Sequence, residues 1–146
     1  MDETGRAGGG SIPDGRLSAP AAPRGWWEGI FGRWLPPLAW MGLIFYLSAQ
    51  PDLPHAPEPL LDLILKKGAH ALVYAVLATL WQRALNRWVG GASLSWLVAV
   101  LYAVTDEIHQ TFVPGRHGRA TDVLIDGMGA ATGLLFMARL RRRARS

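Results

Sequence analysis

The sequence predicts an all-α fold: a small polytopic membrane bundle of four transmembrane helices, with the N-terminus and the C-terminus both cytoplasmic. Three observations carry this reading. Half of the 146 residues are apolar and only 18% are charged, which is little charge for a soluble domain. The apolar residues gather in four blocks after Gly32, each near the length needed to cross a bilayer core. Lys and Arg are divided unequally between the two ends of those blocks, and such an imbalance sets orientation.

Residues 1–24 are rich in Gly, Ala, Pro and Ser and nearly free of large apolar side chains. They lack the apolar core of a secretory signal and bury too little to offset chain entropy, so a disordered tail is expected. The bundle itself is expected over residues 25–140, with a basic cytoplasmic tail at 141–146. Residues 24–34 mix Trp, Phe and Arg, a composition suited to headgroup depth. Pro36 and Pro37 then suit the first turn of a span over residues 35–49. Gln50, Pro51 and Pro54 end it.

A proline-rich loop leads to the apolar stretch 60–65 and the pair Lys66-Lys67. The second span is expected over residues 68–85, followed by a turn carrying Gly90-Gly91. The third covers residues 94–112 and stops at Val113-Pro114-Gly115. The fourth covers residues 121–140 and runs into the arginine tail. Arg24, Arg33, Arg83, Arg87, Arg139, Arg141, Arg142, Arg143 and Arg145 fall on the side of the termini. Only Lys66, Lys67, Arg116 and Arg119 fall on the other. Nine against four places both termini in the cytoplasm. Trp26, Trp27, Trp34, Trp81, Trp88 and Trp96 would form an aromatic belt at the inner interface.

Composition also excludes classes of function. With no cysteine, disulfides and Cys-based zinc sites are ruled out. The net charge of +4 does not point to nucleic acid, because no basic face is interleaved with aromatics. A basic tail directly after an apolar helix is more simply an anchor facing anionic lipid.

Given four spans, the ionisable residues collect at the outer end. Ser48 and Gln50 close the first span, while Lys67 and His70 open the second, with Tyr74 one turn deeper on the same stripe. Asp106, Glu107, His109 and Gln110 lie in the last two turns of the third. Asp122 and Asp126 lie in the first two turns of the fourth, and Arg116 in the connecting loop. Asp106 and Asp126 would sit about 8–12 Å inside their helix ends. Asp106, His109 and Gln110 share one face, whereas Glu107 points about 100° away. Asp122 and Asp126 continue into Gly129 and Gly133, a small-xxx-small step that admits a neighbouring helix. An Asp facing lipid at mid-helix costs about 2.5–3.5 kcal/mol, so the acids are expected to face the basic residues inside a pocket. Lys66 reads as a snorkelling side chain, His117 as a loop residue without a role, and the two glycines as packing residues.

These motifs resemble the VanZ-like family of membrane proteins over residues 43–133. The resemblance rests on Leu47-Ser48-Ala49-Gln50-Pro51 and on Lys67-x-x-His70-x-x-x-Tyr74. It continues with Asp106-Glu107-x-x-Gln110-x-Phe112-x-Pro114-x-Arg116 and Asp122-x-x-x-Asp126-x-x-Gly129-x-x-x-Gly133. Asp126 departs from the family pattern, which more often has Asn. The resemblance implies a multi-pass protein of the cell membrane and, for the founding member, lowered susceptibility to the glycopeptide teicoplanin; it implies no reaction.

Three functions stand beside one another. The first is an envelope protein whose outward-facing pocket binds a lipid headgroup or envelope precursor, with Arg116, Arg119 and Lys67 on phosphate. The second is a membrane enzyme acting on a lipid-linked or phosphate-containing substrate. Its acids and His70 or His109 would serve as acid/base or hold Mg, Mn or Zn, although no spacing matches an established metal motif. The third is a proton-coupled carrier, which four short spans could form only as an oligomer.

Overall fold

The computed structural model describes residues 26–51 and 57–146; the tail expected to be disordered and most of the proline-rich loop lie outside the described residues. Four helices follow one another: α1 (Trp26–Ser48), α2 (Pro59–Leu85), α3 (Gly91–Gln110) and α4 (Ala120–Arg143). No strand occurs among the described residues. Short connections make consecutive helices antiparallel. Three helices, α2, α3 and α4, are long and apolar enough to cross a membrane.

α3 runs two to three residues ahead of its expected 94–112 at each end, and three other helix boundaries differ from expectation. α1 begins at Trp26, so Pro36 and Pro37 lie inside the helix and not in its first turn. Proline removes an N–H and leaves the carbonyl four residues back without its helical partner. For Pro36 that carbonyl belongs to Gly32, and it accepts a hydrogen bond from Arg83 Nη2 at 3.3 Å. α2 begins at Pro59, because nothing in residues 60–67 breaks a helix and the Asp62–Lys66 pair, 2.7 Å apart, supports it at i, i+4 spacing. Lys67 and His70 therefore sit well inside α2, about 12 and 16 Å along its axis, not at its start. α4 carries the helix through Arg143, past the point where the tail was expected to begin.

The packing is inverted relative to a soluble bundle. Large apolar side chains such as Leu72, Leu101, Leu124, Met128 and Phe136 are exposed, each by more than half. The buried core is built around small residues, Ala78, Ala99, Ala103 and Ala130, with Ile44, Tyr74, Leu77 and Leu134. An apolar outer surface over a small-residue interior is what lipid as solvent selects. α2 and α4 approach most closely. A Cβ added to Gly129 would overlap the backbone of Ala71, and one added to Gly133 would lie 2.7 Å from the Ala75 carbonyl oxygen.

At the arginine-rich end, Arg33 ties α1 to the last turn of α2. Its Nε donates to the Ala84 carbonyl, and its Nη2 to Asn86 Oδ1 at 3.1 Å. Such a bond satisfies one of the carbonyls a helix C-terminus leaves without an intrahelical partner. Trp34 and Trp81 meet edge to face beside it. Trp96, expected in the same belt, instead donates its indole N–H to the Gly127 carbonyl at 3.0 Å and joins α3 to α4.

Candidate functional site

The opposite end is built where α1 and α3 finish and α4 begins, with α2 running past all three. Here α3 presents neighbouring acids in two directions. Asp106 turns toward α1, where Ser48 Oγ donates to its Oδ2 at 2.9 Å and Gln110 Nε2 donates to the same oxygen at 3.2 Å. Glu107, one residue on and rotated by about 100°, turns toward α2 and α4. Both carboxylates are buried, because α3 has a partner on each side.

Glu107 meets His70 of α2 and Asp126 of α4. One ligand-type atom from each of the three lies within 4.8 Å of the others. Glu107 Oε2 accepts the backbone N–H of Arg119 at 2.7 Å. That amide belongs to the N-cap residue of α4, so the acid also satisfies a helix start. Asp126 is fully buried. Neither of its oxygens, nor Glu107 Oε1, nor His70 Nδ1, has a hydrogen-bond partner among the described residues. His70 Nδ1 stands 3.6 Å from Asp126 Oδ1.

Above this cluster Lys67 pairs with Asp122 across α2 and α4. Arg116 folds back on the end of α1, donating from Nε to the Gln50 carbonyl at 3.1 Å and from Nη2 to the Leu47 carbonyl at 3.2 Å. The loop reaches there through Gly115, whose φ of +78° suits glycine. Tyr74 is fully buried below, its hydroxyl without a hydrogen-bond partner among the described residues, its ring 6.4 Å from Tyr102. The Tyr102 hydroxyl donates to the Met41 carbonyl at 2.6 Å.

Two cavities meet at this end. One, of about 200 Å³, is a nearly apolar cleft between α1 and α2 lined by Ile44, Leu47, Ser48, Ala69, His70, Val73 and Arg116. The other, of about 210 Å³, is polar. Lys66, Lys67, Arg116 and Arg119 line it with His70 and His117, against the single carboxylate of Asp122. His70 and Arg116 line both.

The structure thus brings Ser48, Asp106 and Gln110 into one group, His70, Glu107 and Asp126 into a second, and Lys67, Asp122 and Arg116 around the polar cavity. Two expected members are elsewhere. His109 stacks on Phe45 with ring centroids 4.3 Å apart, turned toward the α1 side and away from the acids of α4. The Gln50 side chain donates to the Tyr46 carbonyl of its own helix at 3.0 Å, and only its backbone oxygen serves the site. Conversely, His117 lines the polar cavity although the sequence reads it as a bystander; the short connection between α3 and α4 was the available signal. Nothing in the sequence announces that the Arg119 amide holds Glu107.

A family model described as VanZ/LLP1 matches residues 33–141. No curated protein and no solved structure matches the chain.

Proposed function

The chain belongs to the VanZ/LLP1 family, and on that premise we propose that it is a multi-pass protein of the cell membrane whose outward-facing pocket binds a phosphate-bearing lipid headgroup. One observation carries this reading: the cationic cavity and the apolar cleft share His70 and Arg116 as a common wall. A ligand that uses both must be amphiphilic, with an acyl or isoprenyl portion between α1 and α2 and an anion among the basic side chains. Arg and Lys are the usual partners of phosphate.

The proposal includes four spans, with α1 as the fourth, and both termini in the cytoplasm. The exposed Phe31, Leu35, Leu38, Phe45 and Tyr46 along α1 support its contact with lipid, and the excess of Arg at the end bearing the tail supports the orientation. Because the chain has no cysteine, His117→Cys and Ser146→Cys are clean single-site reporters. In intact cells an impermeant thiol reagent should label the first and not the second; the reverse pattern overturns the orientation.

Headgroup binding is tested on purified protein by native mass spectrometry with short-chain phosphatidic acid, phosphatidylcholine and diacylglycerol. Phosphatidic acid should bind best and Arg116→Gln should weaken it about tenfold, the loss of one charge-assisted contact. Equal retention of diacylglycerol would sink the reading. A link to glycopeptide susceptibility belongs to the same proposal, since a protein that occupies headgroups alters access at the surface. An unchanged inhibitory concentration of teicoplanin on expression removes that part alone.

The carboxylate oxygens left without partners on Asp106, Glu107 and Asp126 beside His70 favour a second reading, a membrane enzyme acting on such a lipid phosphate. Unpaired acids at membrane depth are functional groups by default. Release of inorganic phosphate from phosphatidic acid, abolished by Asp126→Asn, supports it; no turnover by the parent protein excludes it for this substrate.

A further inference from the structure

We propose that His70, Glu107 and Asp126 form a binding site for one divalent transition-metal ion, of the zinc or manganese class, held between α2, α3 and α4. The site stands whether or not the pocket binds a headgroup.

The donor set comes first. Three helices each supply one ligand-type atom, all within 4.8 Å of one another. The 3.6 Å between His70 Nδ1 and Asp126 Oδ1 is close to the roughly 3.4 Å that two ligands about 2.1 Å from a tetrahedral ion subtend. One imidazole with two carboxylates is a borderline donor set that suits zinc or manganese. Three protein ligands leave a coordination position open.

The second argument is burial without partners. Asp126 is 0% exposed and Glu107 6%, yet three of their four oxygens accept no hydrogen bond among the described residues. A buried carboxylate in that state is costly unless a cation or donor reaches it. Of the cations nearby, Lys67 pairs with Asp122 and Arg116 donates to the carbonyls of Leu47 and Gln50, and no side-chain cation among the described residues donates to these three oxygens. Two buried acids thus face one imidazole, which when protonated balances one of them, whereas a dication balances both. Asp106, by contrast, has Ser48 and Gln110 on one oxygen and is left out of the ligand set.

The third argument is orientation. The Arg119 N–H holds Glu107 Oε2, the outer-shell bond that metal-ligating carboxylates commonly carry, and Oε1 has no hydrogen-bond partner among the described residues.

Full-length protein in detergent, stripped with chelator, is titrated calorimetrically with zinc chloride and manganese chloride. One saturable site is expected. His70→Ala, Glu107→Gln and Asp126→Asn should each weaken it by about tenfold or more, while His109→Ala, which removes an imidazole stacked on Phe45, should not. Electron spin-echo measurements on the manganese-loaded parent should show modulation from an imidazole nitrogen, a readout that survives if a variant fails to fold. No saturable binding of either metal, or binding without the nitrogen signature, overturns the site. Protons would then be what compensates the acids. Retained phosphatidic acid binding in metal-free protein would separate this outcome from failure of the headgroup reading.

Discussion

The two ends of the bundle differ in the kind of buried polar group that each leaves without a partner. At the arginine-rich end the carbonyl that Pro36 strands on Gly32 accepts from Arg83, Arg33 reaches the Ala84 carbonyl and Asn86, and the buried atoms without a hydrogen-bond partner among the described residues, Trp81 Nε1 and Gln82 Oε1, are neutral. At the other end Asp126, Glu107, Tyr74 and His70 keep buried polar atoms without hydrogen-bond partners among the described residues, and two of the four are carboxylates. In hydrocarbon each unsatisfied group costs several kcal/mol, and a charged one more than a neutral one, so the first end is the more cohesive. The second retains the larger cost, which protonation or a bound cation relieves. Sites of function are where such costs persist.

Four perturbations test this contrast, from the largest expected effect to the smallest. Gly129→Leu should break both ends at once, since even a Cβ there overlaps the Ala71 backbone. The loss should exceed the 1–3 kcal/mol of ordinary overpacking, and size-exclusion chromatography in detergent should show aggregated material. A monodisperse variant would mean α2 and α4 need not pack at this point.

Arg33→Ala strikes only the cohesive end. Removing a charged donor from the Ala84 carbonyl and Asn86 should lower stability by about 1.5–3 kcal/mol, seen as a lower midpoint of thermal unfolding. Asp126→Asn should do the opposite when the protein is kept in chelator. It replaces a buried carboxylate that has no hydrogen bond, and the midpoint should rise by an amount worth on the order of 1 kcal/mol. If both variants destabilise alike, the two ends do not differ as described. Ser48→Ala sharpens the comparison within the polar end, because Asp106 keeps Gln110 as a donor. A loss near 1 kcal/mol is expected, with the metal affinity of the His70 cluster unchanged; a shift in that affinity would join the two groups into one.

Much of this was legible beforehand. Four apolar blocks yielded four helices, and the motif spacings placed the chain in its family. The separation of Asp106 from Glu107 was visible as the angle between consecutive helical residues, without its consequence: each acid finds a different neighbour. The boundaries of α1 and α2 were less legible. The proline pair in α1 and the lysine pair in α2 look like helix ends, and are carried inside helices by Arg83 and by the Asp62–Lys66 bridge. The place of His109 was hard to read for a related reason. It shares a helical stripe with Asp106, but the i, i+3 stripe is wide enough for one member to stack on Phe45 while another bonds Ser48.

By itself the sequence determined that the chain forms four helices, that α2, α3 and α4 are apolar enough to cross a membrane, and which polar groups share a helix face. Those properties are local, set by residue type and the 3.6-residue repeat. Only the tertiary structure decided that Gly129 and Gly133 meet Ala71 and Ala75, and that His70, Glu107 and Asp126 converge while Asp106 stands apart. The rotation of one helix against another is set by how small residues on separate segments fit together, and no single segment carries that information.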